Sequence, residues 1–276
     1  EMGKFITSNL GPTFQKENIP AKIIFGENPL WSVVMPQLKM VSSKDFTDTI
    51  LQDYPEIKKF NLIAAGHGYS LSPDIMPIKV DKEYLKTPII PFDAAEKAHI
   101  PVWITEISDV TPLDTSIQDG LKWAVTFHNY LTKANVNAII WGGAMPTSNN
   151  ESLIILNKNR KDYTLSKRYD ILGNYSRYIS EGSTRIQVTQ PKNKDLLVSA
   201  YKKNDKYILV AINLSEKTIS TNIRLDGANI KGALKQFITN KDNRWNKTNI
   251  VPVSNKYYNL TIPQFSIVTL VGKVHL

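Results

Sequence analysis

The chain has 276 residues and a formal net charge of +9, with 42% hydrophobic and 21% charged residues. That is enough apolar material for one large or two medium domains, and the polarity is too low for disorder. Cysteine is absent, which excludes disulfides, thiolate metal sites and a cysteine nucleophile.

No apolar run approaches the roughly eighteen residues of a membrane span, and no signal peptide is visible. The first residue is Glu1 rather than Met, so a processed chain or a piece of a longer one is expected. His67, His99, His128 and His275 are scattered without H-x-x-x-H spacing, so no zinc site is expected. The lysines are spread along the chain rather than gathered in a basic run, which argues against nucleic acid. A dispersed basic surface suits acidic polymers or cell-wall material.

In chain order, residues 2–16 read as a helix, a turn at Gly11-Pro12 and a second short helical piece. Ala21–Phe25 reads as a strand that ends at Gly26-Glu27-Asn28-Pro29. Ser42–Asp53 carries Phe46, Ile50 and Leu51 at helical spacing, with Ser42 or Ser43 as N-cap. Phe60–Ala65 is the next strand and runs into Gly66-His67-Gly68-Tyr69. The segment from Ser70 to Pro91 holds four prolines and no period, and a connection of that length is expected to be functional. Phe92–His99 is a short helix and Pro101–Glu106 a buried strand. The clearest helix is Asp114–Lys133, capped by Asp114 or Thr115, with Ile117, Leu121, Ala124, Val125, His128 and Leu131 on one face. Val136–Trp141 is a fourth strand, and Leu165–Ile179 a final helix.

Four strands each followed by a helix are half of an eight-fold barrel or a small doubly wound sheet. The chain has no G-x-G-x-x-G or G-x-x-x-x-G-K turn, which argues against a nucleotide-binding sheet. From about Glu181 the period changes to short strands (184–189, 196–202, 207–213, 218–225, 233–238, 257–262 and 267–271) between Lys/Asn-rich turns, the spacing of an antiparallel sandwich. Two domains are therefore expected, 1–180 and 181–276.

The strands of the first domain release Glu27, then His67 and Tyr69, then Glu106, then Trp141 at their C-terminal ends. In an α/β barrel these ends converge on one cleft. Carboxylates beside Trp, Tyr and His suit sugars, whose apolar faces stack on rings while hydroxyls find polar partners. A glycosidase needs two carboxyl groups, one as acid/base and one as nucleophile or base for water. Glycines flanking His67 suggest a backbone opened for close approach. Trp103 is expected in core packing and His128 in a structural role. Tyr163, Tyr169, Tyr175 and Tyr178 are expected in core or rim, and Glu151 in solvent.

Several segments together resemble glycoside hydrolase family 30, in particular its bacterial xylanase-like members. They are Leu10-Gly11-Pro12-Thr13-Phe14, His67-Gly68-Tyr69, Val102-Trp103-Ile104-Thr105-Glu106, the helix over 119–136, and Tyr163–Tyr169 leading to Leu172–Ile179. Gly182–Ile186 and Val198–Tyr201 follow in the sandwich. The resemblance implies the C-terminal half (strands 5–8) of a (β/α)8 TIM barrel followed by an antiparallel β-sandwich. It implies a secreted, retaining endo-β-glycosidase acting on xylan, with no cofactor and no metal. Glu106 matches the nucleophile, His67 and Tyr69 the substrate-facing positions after the sixth strand, and Trp141 the aromatic end of the eighth. The family's acid/base lies in an Asn-Glu-Pro segment, and none occurs in this sequence. The chain is therefore expected to lack the first half of the barrel, to need that half as partner, and to be inactive alone. The arginine that clamps glucuronate in some members is not matched in Gly142-Gly143-Ala144-Met145-Pro146, and Arg160 lies further on. A β-1,6-glucan, β-1,6-galactan or glucosylceramide substrate, or a non-catalytic carbohydrate-binding remnant, stays open as an alternative.

Overall fold

The computed structural model describes residues 1–33, 40–71, 89–145, 149–157, 161–226, 229–230, 232–252 and 257–275. Most of the proline-rich segment, Pro146 and Arg160 lie outside the described residues. The chain forms two compact units, one of residues 1–111 and 129–144, the other of 112–128 and 145–276. The division expected at residue 180 follows strand type, whereas compactness assigns 112–128 and 145–180 to the unit that contains the later strands.

The first unit is built on a four-stranded parallel sheet. Its strands are Ile23–Phe25 (β1), Leu62–His67 (β2), Val102–Ile107 (β3) and Ala138–Trp141 (β4), hydrogen-bonded in that spatial order. All pairings are parallel, and sequential order with helical crossovers is the barrel pattern rather than the doubly wound one, whose order reverses. Ile23, Phe25, Leu62, Ala64, Val102 and Ile104 are buried. On the two outer strands, Ile24 of β1 is 46% exposed and Ile140 of β4 47%. Four strands cannot close a barrel.

The N-terminal helical run does not break where expected. Met2–Phe5, Ile6–Leu10 and Gly11–Lys16 are continuous, the middle piece being a π-turn in which the Gly11 N–H donates to the Ile6 carbonyl. Pro12 lies in the first turn of the third piece, and the wide turn before it accommodates a residue that lacks an N–H and would clash in a regular helix. The helix Ser43–Asp53 starts with a capping box. The Ser42 hydroxyl accepts from the Asp45 N–H, and the Asp45 carboxylate accepts from the Ser42 N–H.

The helix Ile117–Lys133 begins later than its sequence suggests. Ser116 takes over the cap, its Oγ accepting from the Asp119 N–H at 3.3 Å, while Asp114 accepts from the Ser116 N–H. This helix is buried on almost every side, including Asp119, Lys122 and Asn129, rather than along one stripe. The polar residues are internal because they are paired. The Arg168 guanidinium donates to Asp119 and to the Asp114 carbonyl and to the Ser152 carbonyl at 2.8 Å. Asn150 donates to the other Asp119 oxygen at 2.9 Å. Burial still raises the Asp119 carboxyl above its usual range, with Arg168 and Lys122 pulling the other way.

In the second unit an antiparallel sheet runs in the order Asn246–Ile250, Leu234–Thr239, Ser266–His275, Lys206–Asn213, Leu196–Lys203, Thr184–Ile186. The pair Ile219–Arg224 and Tyr257–Ile262 forms a second layer. Burial in Tyr257–Ile262 alternates residue by residue, the period-two signature of a half-buried strand. Its inward residues Tyr258, Leu260 and Ile262 pack with Leu196, Ala211, Leu234, Val268 and Leu270. The helix Lys167–Ser176 belongs to the same unit. Its Asn174 donates to Thr239 Oγ1 at 2.8 Å, and Thr269 donates to the Asn174 carbonyl at 2.8 Å. Trp245 Nε1 donates to the Asp170 carbonyl at 2.9 Å. The hairpin of Ile154–Leu156 with Tyr163–Leu165, the strand Asn246–Ile250, and the short parallel pair of Leu30–Val33 with Tyr69–Leu71 had no clear sequence signal. Strands this short offer too few residues for a period to show.

Candidate active site

The carboxylate of Glu106 sits on a bulge in β3. Gly66 pairs with Ile104 and the next residue, His67, with Glu106, so Thr105 is an extra residue on that side. Toward β4 the same slip appears, with Ile104 paired to Ile139 and Ile107 to Trp141. A bulge adds local twist and re-aims the side chains beside it. Here it frees Thr105 and Glu106 from the regular alternation, and the Glu106 side chain is 45% exposed.

Three predicted residues meet at this point. The Tyr69 hydroxyl donates to Glu106 Oε1 at 3.2 Å. His67 Nδ1 lies 3.6 Å from the same oxygen, beside it but too long for a hydrogen bond. The two rings are edge-to-face, with centroids 6.0 Å apart. Burial raises the Tyr69 phenol above its ordinary value; Ser108, 3.0 Å away, lowers it, and the neighbouring Glu106 charge raises it again. A phenol held neutral in this way remains a donor to the carboxylate. Trp141 ends β4 in register with Ile107 and is half-buried. The residue after it, Gly142, lies against Glu106, where a Cβ would stand 2.8 Å from the carboxylate's Cγ.

The glycines around His67 do a different job from the one expected. A Cβ on Gly66 would come within 2.2 Å of Ser43 Oγ, and one on Gly68 within 2.6 Å of Ile107 Cδ1. They allow close packing of β2 against its neighbours rather than opening the backbone to a ligand. Trp103 is half-buried rather than fully in the core, His128 is buried as expected, and Tyr163 is 61% exposed whereas Tyr175 is buried. Glu151 is half-buried and accepts from Asn149 Nδ2 at 3.1 Å, rather than facing solvent alone.

Three further residues join the cluster. Glu27 Oε1 lies 3.1 Å from His67 Nε2 and accepts from the Thr105 hydroxyl; Ser108 touches the Tyr69 hydroxyl. Glu27 was visible as a polar strand end, but Thr105 and Ser108 carried no signal, because only the bulge and the fold of the loop bring them in. Among the described residues there is no group of three or more His, Asp or Glu that could hold a metal ion.

Parallel strands thus deliver a half-exposed carboxylate, an imidazole and a phenol to one end of a sheet with the strand order of an α/β barrel segment, and an antiparallel β-sandwich follows it in the chain. No protein-family profile matches the chain. It is 23% identical over 232 residues to the glucuronoxylanase XynC of Bacillus subtilis (strain 168), a match covering 83% of this chain and 50% of that one. The structure of a glycoside hydrolase family 30 subfamily 8 xylanase from Clostridium acetobutylicum covers 98% of this chain with a TM-score of 0.74 at 20% identity, and 60% of that protein is matched. An endo-β1,6-glucanase covers 99% of the chain with a TM-score of 0.64 at 17% identity and is matched over 53% of its own length. The chain is thus similar in sequence to a glucuronoxylanase and in fold to part of the family 30 xylanases. It spans about half the length of the curated relatives it matches.

Proposed function

We propose that residues 1–180 and 181–276 are the C-terminal half-barrel and β-sandwich of a retaining endo-β-glycosidase acting on xylan outside the cell. The observation that carries the reading is the convergence of the Tyr69 hydroxyl and His67 on one oxygen of Glu106, a half-exposed carboxylate at the C-terminal end of a barrel strand. In this reading Glu106 is the nucleophile. Its free oxygen attacks the anomeric carbon, the aglycone oxygen leaves, and a glycosyl ester forms. The bond from Tyr69 holds the other oxygen and fixes the direction of attack. His67 and Tyr69 face the sugar hydroxyls, and Trp141 offers a ring for a sugar face.

The proton donor for the natural leaving group comes from residues outside this sequence, which has no Asn-Glu-Pro segment. A complementary half carrying the first four strands would bring it. The basic chain, at +9, suits a polymer with acidic substituents. Among the described residues, no helix is long and apolar enough to cross a membrane.

The test avoids the missing acid. Dinitrophenyl β-xylobioside has a leaving group that departs without protonation, so it should glycosylate Glu106 in this chain. The ester should then persist, because no base activates water. Intact-protein and peptide mass spectrometry should find one xylobiosyl unit on the Glu106 peptide, and none in Glu106→Gln. Labelling only by a β-1,6-linked glucosyl analogue would replace xylan with that substrate. Retention on xylan with no labelling by either probe would favour a non-catalytic carbohydrate-binding protein.

A further inference from the structure

We infer that Glu27 is a positioning residue for the imidazole beside the Glu106 carboxylate, an inference that rests on the glycosidase reading above. Glu27 leaves β1 just past Gly26, whose φ of +83° turns the chain sharply at the strand end. Its Oε1 is held from two directions, by the Thr105 hydroxyl and by His67 Nε2 at 3.1 Å. Thr105 is the extra residue of the β3 bulge, so the irregularity that presents Glu106 also supplies the anchor for Glu27. An imidazole has two nitrogens on opposite edges. Fixing the Nε2 edge toward Glu27 therefore fixes the Nδ1 edge toward Glu106, where it lies 3.6 Å from Oε1.

The order of support is Thr105 to Glu27 to His67 to Glu106, and it crosses β1, β2 and β3 within one sheet. Without Glu27, a ring that is 22% exposed is free to flip about χ2, a broad torsion with no strong intrinsic preference. The Nδ1 edge would then point at Glu106 only part of the time. A Glu27 oxygen occupied by two partners is a fixed acceptor, which is why Glu27 is assigned to positioning rather than to proton delivery. At 39% exposure its side chain contributes little to the fold, so its loss should act on the site alone.

Two measurements on the whole chain test this. Long-range proton–nitrogen NMR correlations of His67 report which ring nitrogen carries the proton, and they need no activity. They should show Nε2 in the unmodified chain and a mixture in Glu27→Ala. The second measurement is the rate at which dinitrophenyl β-xylobioside labels Glu106. It should fall about tenfold in Glu27→Ala, as expected for a misdirected group near the reacting atoms, and recover largely in Glu27→Gln, which keeps an accepting oxygen. Thr105→Val should slow labelling in the same direction and Thr105→Ser should restore it. Identical His67 spectra with and without Glu27, or equal labelling rates in Glu27→Ala and the unmodified chain, would overturn the inference. Glu27→Gln as slow as Glu27→Ala would also overturn it. A chain that shows the NMR difference but is never labelled keeps the positioning role and loses the glycosidase reading instead.

Discussion

Gly142→Ala should disable Glu106 without touching it chemically. Gly142 does not have the left-handed backbone of its neighbour Gly143 (φ +77°), so alanine brings no backbone strain and the effect is purely steric. Its methyl would stand 2.8 Å from Glu106 Cγ, 3.5 Å from Cδ and 3.6 Å from Ser108 Oγ. Carbon–carbon contacts are comfortable at about 3.5–4.0 Å, so the Glu106 side chain must withdraw by roughly 0.7–1.2 Å. At 45% exposure it can yield into solvent, and global stability should change by no more than about 0.5 kcal/mol. Displacing a reacting atom by about 1 Å costs on the order of a hundredfold in rate, or about 2.7 kcal/mol of barrier. The assay is the labelling rate of Glu106 by dinitrophenyl β-xylobioside, measured with a thermal unfolding curve on the same sample. A tenfold to hundredfold slower rate at nearly unchanged Tm is expected. An unchanged rate would refute the idea that the position of this carboxylate, held by Tyr69 on one side and Gly142 on the other, limits the reaction.

Two predictions concern the second unit. Burial holds the Asp119 carboxyl above its ordinary value of 3.8, so the folded state binds this proton more tightly than the unfolded one. The stability this provides is complete below that ordinary value and is lost as pH rises through the raised one. Asp119→Asn should therefore flatten the fall in stability just above pH 3.8, as read by urea unfolding at a series of pH values; equal slopes in both proteins would refute the assignment. Gly173→Ala would place a Cβ 2.3 Å from Cζ2 of Trp245, an overpacking that should cost about 1–3 kcal/mol. Guanidinium unfolding followed by tryptophan fluorescence measures it, and a loss below half a kcal/mol would show that Trp245 can move aside.

Much of the fold was legible because its periods are local. The runs around Ile23–Phe25, Leu62–His67, Val102–Ile107 and Ala138–Trp141 are apolar and bounded by turn residues, and the Ser42 cap is written in four consecutive positions. The π-turn at Ile6–Leu10 was not legible, since Gly11-Pro12 ordinarily ends a helix and only the uninterrupted backbone shows otherwise. Nor was the all-round burial of Ile117–Lys133. An amphipathic pattern places Asp119 in water unless partners from distant positions, here Arg168 and Asn150, are known to reach it.

The site divides in the same way. The sequence alone determined the residue types: Glu106 at a strand exit, His67 and Tyr69 two residues apart at the previous one, Trp141 at the next, and no Asn-Glu-Pro segment to complete the pair of carboxyls. Strand exits follow from hydrophobic runs, which are local. Only the tertiary structure decided that Tyr69 and His67 share one oxygen of Glu106, that the glycines serve packing, and that Thr105 and Glu27 stand behind the histidine. These depend on a one-residue slip between neighbouring strands. A slip of that kind changes which side chains meet without changing the hydrophobic pattern of either strand, so the residues it brings together leave no mark in their own segments.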